Sequence, residues 1–218
     1  MAESIEYLPN ILAGAVLTVE LTLLGSLIAG VVAFTVAFAR LSNSAWLRIP
    51  ARAIMEFFRG TSIFVQLFWA YFVLPLFGIS FTPFQAGVTV LGLNGGAYMS
   101  EIVRGAMLAL PREQFEACIA LNFSPWQRLG YVLLPQALRL MILPFSNSVV
   151  ELMKATAIVS LISLSDMTFR AQTVRTQTGD GALPFLTILS VYFVLAITVS
   201  TLLRRVELRL TPNSVRGT

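Results

Sequence analysis

The sequence contains no histidine, one cysteine (Cys118) and one lysine (Lys154) among 218 residues. The first two shortages exclude a His/Cys metal site, a disulfide framework and a Cys–His nucleophile. The third bears on nucleotide chemistry. A P-loop needs Gly-x-x-x-x-Gly-Lys, and the single lysine stands in Leu152-Met153-Lys154-Ala155-Thr156, with no glycine before it. Any nucleotide hydrolysis therefore falls to another chain, and no cofactor is expected on this one. Charge is also scarce, 12% of residues against 56% hydrophobic, with a mean hydropathy of +0.79. That balance belongs in a bilayer rather than in water. The net charge of +4 comes from arginines beside apolar runs, not from one basic stripe. They read as topology signals, and no nucleic-acid partner is expected.

What is present is a series of long apolar runs, predicting an all-α integral membrane protein of about five transmembrane helices in a single domain. The runs are residues 11–39, 54–77, 84–110, 136–164 and 183–203. The leader Met1 to Asn10 carries Glu3 and Glu6 and no cation, unlike the basic start of a cleavable signal, so the first helix is expected to stay. Arg40 to Arg52 reads as a polar stretch, and Asp166 to Gly181 as a polar loop. In the third run Gly92, Gly96 and Ser100 recur at four-residue steps, a face on which another helix can approach closely. The fourth run holds Pro144, Glu151 and Lys154 and reads as a discontinuous helix. Glu20 lies toward the outer end of the first run, where it can reach the interface, and is given no transport role. Arginines 40, 48, 52, 59, 104, 112, 128 and 139 flank two loops and 204, 205, 209 and 216 close the chain, while the other side has only Arg170 and Arg175. The cation bias predicts an outside N-terminus and a cytoplasmic C-terminus.

Residues 111–135 interrupt the pattern with two short helical stretches too polar to span. Asn122 suits the left-handed residue that ends a helix, and Ser124-Pro125 is a cap followed by proline at the first helical position. The segment reads as a helix–turn–helix at the cytoplasmic face: either a rigid knob offered to the cytosol, or an amphipathic re-entry lying in the headgroups. Trp46 and Trp126 fit an interfacial aromatic belt.

The run Glu116-Ala117-Cys118, with Leu133-Leu134-Pro135-Gln136-Ala137 downstream, resembles the EAA loop of ABC importer permeases. Three further runs resemble the polar amino acid (histidine/glutamine-type) branch of that family. They are Arg59-Gly60-Thr61 with Val65-Gln66-Leu67; Ala97-Tyr98 with Glu101 and Arg104-Gly105; and Asn147 with Lys154 and Thr156. The chain departs from the family pattern at three places: Asn122 replaces the usual loop glycine, Ser62 replaces the usual proline after Arg-Gly-Thr, and Lys154-Ala155-Thr156-Ala157 replaces Lys-Asp-Thr-Ser, which removes a carboxylate and a hydroxyl. Arg59-Gly60-Thr61-Ser62 with Phe68-Trp69, together with Lys154-Ala155-Thr156-Ala157, resembles permeases assigned to ectoine and hydroxyectoine.

The resemblance implies a bacterial inner-membrane permease subunit, not itself an enzyme, for a small polar or zwitterionic solute. It implies an ABC ATPase, a second permease (homodimer or heterodimer), an extracytoplasmic solute-binding protein and membrane lipid as partners. Glu116 and Ala117 would shape the loop's first helix, and Asn122, Phe123, Ser124, Pro125 and Trp126 the turn that meets the ATPase.

Ionisable groups within spans are candidates for function because their burial in hydrocarbon is costly. Glu151 and Lys154, three apart, share a helix face. With Asn147 and Thr156 they either line a central cavity, offering both signs of charge, or form a structural ion pair. On the third run Asn94, Tyr98 and Glu101 carry polar ends that either join the solute path or pack against a neighbouring helix, and Glu101 and Arg104 repeat the ion-pair spacing. A stand-alone secondary transporter or channel is the competing class, but such carriers bring their own repeat or ion-coupling site. An intramembrane enzyme using Ser100 with Glu101, or Asp166, would lack a histidine base and paired carboxylates on one face of a span.

Overall fold

The computed structural model describes residues 8–210, so Glu3, Glu6 and Arg216 lie outside the described residues. Its helices are α1 (Leu8–Leu41), α2 (Ala45–Gly60), α3 (Ile63–Phe68), α4 (Pro83–Leu108), α5 (Arg112–Ala120), α6 (Pro125–Gln127), α7 (Leu134–Ala155), α8 (Met167–Thr178) and α9 (Ala182–Leu210). A π turn, Trp69–Val73, and a 3-10 turn, Leu74–Phe77, prolong α3. A second π turn, Arg128–Leu133, joins α6 to α7, and a 3-10 segment, Thr156–Ile162, extends α7. No strand occurs among the described residues.

The centre of the fold is the pairing of α1 with α4. Ala29, Ala33 and Ala37 of α1 are fully buried. A Cβ added at Gly92 would lie 2.5 Å from Ile28 Cγ2, and one at Gly96 would lie 2.6 Å from Val32 Cβ. The small-residue face expected on the third run is thus filled by α1, and any larger side chain would push the two helices apart. Leu91, Met99 and Val103 of α4 then meet Ala137, Met141 and Leu152 of α7 in the same core.

By length and composition, Pro9–Leu41, Pro125–Ile162 and Ala182–Arg205 can each cross a membrane, and the bent pair α2–α3 makes a fourth if taken as one span. The 26 residues of α4 also exceed ~30 Å at ~1.5 Å per residue. This helix is less apolar because its neighbours, rather than lipid, cover most of its surface.

Four expectations need correction. The run 54–77 is not continuous: the helix turns by 104° between Gly60 and Ile63. Thr61 and Ser62 are extended there, after a glycine that disfavours helix. Upstream of the turn, α2 reaches back to Ala45 through the stretch 40–52 that reads as polar. Its arginines at 48, 52 and 59 occupy one face, so its low average hydropathy concealed an amphipathic helix. The polar loop 166–181 is mostly α8, begun by Asp166, whose Oδ1 accepts from the Phe169 N–H at 2.9 Å, and ended by left-handed Gly179 at φ +71°. That Asp-to-Gly bracket was the overlooked signal. In the fourth run the helix continues through Pro144 and changes only at Thr156, where it tightens to 3-10 geometry.

Candidate functional site

Two features stand out: the exposed α5–α6 knob and a polar cavity between α4 and α7. The knob is built by local hydrogen bonding. Leu121 ends α5, and Asn122 follows in the left-handed region at φ +55°. The Asn122 N–H donates to Ile119 O at 2.9 Å and the Phe123 N–H to Cys118 O at 3.0 Å. This is a complete Schellman closure, in which asparagine occupies the usual glycine position. Ser124 begins α6 with a reciprocal cap: Ser124 N–H donates to Gln127 Oε1 at 2.9 Å, and Gln127 N–H donates to Ser124 Oγ at 3.4 Å. Pro125, at the first helical position, gives up no hydrogen bond there. Two caps in succession rigidify a turn that has little core of its own.

The knob is anchored from beneath. Cys118 is buried, Gln136 Nε2 donates to Gln114 Oε1 at 3.1 Å, and Phe115 and Leu129 border a cleft with Phe38, Leu41 and Met107. Its outer surface is open: Trp126 is 82% exposed, and Glu116, Ala117, Asn122, Ser124 and Pro125 are exposed too, whereas Phe123 is half-buried. Through the π turn Arg128–Leu133, α6 continues into α7 as one helix, Pro125–Ile162.

The cavity, of about 410 Å³, is lined by Asn94 and Tyr98 of α4 and by Asn147, Ser148 and Glu151 of α7, over an apolar floor that includes Leu91. The structure thus brings together four of the seven solute-path candidates, Asn94, Tyr98, Asn147 and Glu151. Lys154 is adjacent: its Nζ donates to Glu151 Oε1 at 2.9 Å. Thr156 faces away. It is buried, donates to Met153 O at 2.7 Å and lies 3.3 Å from Tyr192 Oη of α9.

Glu101 is also elsewhere. It takes Arg40 Nη1 at 2.6 Å, Arg104 Nε at 3.0 Å and Arg59 Nη1 at 3.7 Å, joining α1, α2 and α4 at one end of the bundle. Arg59 links this cluster to the cavity, since its guanidinium lies 5.3 Å from the Tyr98 ring centroid and its carbonyl accepts from Tyr98 Oη at 3.5 Å. Among the described residues, no group of three or more His, Cys, Asp or Glu could hold a metal.

Gln66, which enters above only within the run Val65-Gln66-Leu67 and with no role of its own, is a third feature. Its Nε2 donates to Phe58 O at 2.9 Å and to Thr61 Oγ1 at 2.7 Å, and its Oε1 accepts from Asn94 Nδ2 at 3.1 Å. One amide thereby satisfies backbone groups freed at the α2–α3 turn and ties that turn to the cavity wall. The available signal was a glutamine alone in an apolar run.

Known proteins agree with this architecture. Residues 22–212 match the family described as binding-protein-dependent transport system inner membrane component. A probable amino-acid ABC transporter permease of Sinorhizobium fredii is 39% identical over 208 residues, covering 93% of this chain and 87% of the relative. The L-cystine transport system permease of Bacillus subtilis is 32% identical, covering 93% and 87%. A putative glutamine transport system permease of Rickettsia bellii is 31% identical, covering 94% and 96%. Among solved structures, an amino acid ABC transporter crystallised with histidines superposes with a TM-score of 0.88 at 31% identity, covering 95% of this chain and 97% of that one. The inward-facing MetNI methionine transporter shares the fold, with a TM-score of 0.82 at 21% identity and coverage of 97% and 100%. The chain belongs to the binding-protein-dependent transport system inner membrane components, the permease subunits of ABC transporters, which reside in the inner membrane and leave ATP hydrolysis to a separate subunit.

Proposed function

We propose that the chain forms one half of the translocation path of an ATP-driven importer for a small zwitterion, either a polar amino acid or an ectoine-type osmolyte. The observation that carries this reading is the wall of amide, phenol and carboxylate groups from Asn94, Asn147, Tyr98 and Glu151 around one cavity, with Lys154 at its border. Amides and a phenol can hydrogen-bond either end of such a solute, while Glu151 and Lys154 supply one charge of each sign. The relatives named for amino acids, glutamine and cystine support this substrate class.

In this reading the N-terminus is outside and the C-terminus cytoplasmic, five crossings form the permease domain, and a second permease completes the path. A separate ATPase grips Glu116, Ala117 and the Asn122-to-Trp126 turn, and its closure rocks α7 through the continuous Pro125–Ile162 helix. An extracytoplasmic binding protein delivers the solute. The test is uptake by the permease, ATPase and binding protein reconstituted in proteoliposomes, with labelled glutamine challenged by cystine, histidine, ectoine and hydroxyectoine. Competition confined to zwitterions supports the reading. Uptake that no zwitterion inhibits would overturn it.

A further inference from the structure

Arg40, Arg48, Arg52, Glu56 and Arg104 border a recess of about 330 Å³, separate from the polar cavity. Its charge is far from balanced. Glu101, behind the recess, is already shared by Arg40, Arg104 and Arg59, and Glu56 approaches only Arg52, at 3.7 Å. Arg48 has no acidic partner among the described residues. One carboxylate cannot neutralise three guanidinium groups, so positive potential remains directed into the recess.

The helix α2, which supplies two of the four arginines of the recess, is amphipathic in a particular way. Arg48, Arg52 and Arg59 are four and seven residues apart and share a face of α2. Trp46, Ile49, Ala53 and Phe57, at steps of three, four and four, form an exposed apolar stripe on a different face, with Trp46 90% exposed. The opposite flank, Ala51 and Met55, is buried against the bundle. A helix anchored on one flank, apolar on a second and basic between has the character of an interfacial helix. Guanidinium groups match phosphate in planar, bidentate hydrogen bonds.

We propose that this recess holds the phosphate of an anionic phospholipid, with the acyl chains lying along the Trp46–Phe57 stripe. The shared chemistry is a phosphate anion, and the stripe favours a lipid source over a soluble one because only a lipid satisfies both faces of α2 together. Arg40 and Arg104 position the recess through Glu101. Arg48 and Arg52, whose side chains are less committed, supply the contacts.

The test uses the purified full-length permease in phosphatidylcholine nanodiscs containing spin-labelled phosphatidylglycerol, reading the motionally restricted lipid fraction. The native chain should retain phosphatidylglycerol over phosphatidylcholine. Arg48→Gln and the pair Arg48→Gln/Arg52→Gln should lower that preference by about fivefold per arginine. Both sites are exposed, and an unchanged melting temperature would verify folding; the single variant serves if the pair is destabilised. Equal preference in native and variant chains overturns the proposal. So does loss of the preference on adding inorganic phosphate, which would identify a soluble anion as the occupant. Labelling of Arg48→Cys by a soluble maleimide separates a protein occupant. Protection that appears only when the ATPase is added, whatever the lipid, also overturns the proposal, whereas protection by phosphatidylglycerol alone supports it.

Discussion

Asn94 on α4 donates through Nδ2 to Gln66 Oε1 at 3.1 Å and to Phe58 O at 2.9 Å, so a single amide of the cavity wall bonds both sides of the α2–α3 turn. A membrane helix that bends by 104° leaves carbonyls with no helical partner, and in hydrocarbon no water compensates for them. The Asn94–Gln66 pair supplies those bonds from within the protein. Asn94→Leu or Gln66→Leu should therefore cost about 1–3 kcal/mol, read as a lowered melting temperature in detergent. The double variant should cost less than the sum of the two, because both changes break the same bond. Strict additivity would show that the bond does not hold the turn.

Glu101 is the common acceptor for three arginines, and Arg40, 11% exposed, is the most enclosed of them. Glu101→Gln should destabilise the chain by on the order of 2 kcal/mol, below the ~3–5 of a fully buried pair because water reaches part of the cluster. The Glu101→Gln/Arg40→Leu combination should recover part of the loss, as it removes the stranded cation. Thermal unfolding of the two variants side by side checks this.

Lys154 and Glu151 are 54% and 72% exposed, so their ion pair contributes under about 1 kcal/mol. Lys154→Ala should leave the melting temperature nearly unchanged while raising the KM for a zwitterionic solute. A clear fall in melting temperature with native uptake affinity would favour a structural pair instead.

Ala117 is exposed on α5, one residue before the buried Cys118. Ala117→Arg should leave the fold intact, since its side chain meets no core, but should uncouple ATP hydrolysis from uptake in the reconstituted complex. Coupled transport at the native rate would count against docking at this face.

Asp166 begins α8 in a fully buried position outside the apolar runs, and burial pushes its carboxyl above the ordinary carboxylate range, against the opposing hydrogen bonds of the α8 N-terminus. The folded state then holds the proton more tightly than the unfolded one, so stability is greatest below the ordinary carboxylate value. It falls as pH rises from there through the raised folded value, and levels off above it. Asp166→Asn, which keeps the cap but never ionises, should flatten this dependence and leave the melting temperature at neutral pH equal to or above that of the native chain. Asp166→Ala should instead lose about 1 kcal/mol with the cap. Melting temperatures of the three chains across the acidic range check the sign.

The legible and illegible parts of the molecule divide along a physical line. Local chemistry was readable: Asn122 in the left-handed region, Ser124-Pro125 as a helix start, and the four-residue steps of Gly92 and Gly96 are each decided by residues within about one helical turn. Averaged hydropathy was less informative at 40–77, where the arginines of α2 share a face and Gly60-Thr61-Ser62 turns the chain, because a running average discards the helical phase that separates the two faces.

The sequence by itself determined that this chain belongs in a bilayer, has neither a P-loop nor a His/Cys metal set, and carries a capped helix–turn–helix, because each follows from residue type and short spacing. Tertiary structure alone decided which polar residues share a cavity. Thr156 turns toward Tyr192, Glu101 toward Arg40, and Asn94 toward Gln66, and these partners lie 36, 61 and 28 residues away. Helical phase specifies the direction in which a side chain leaves its own helix, but its partner depends on how distant helices pack: α9 beside the end of α7, α1 beside α4, and α3 beside α4.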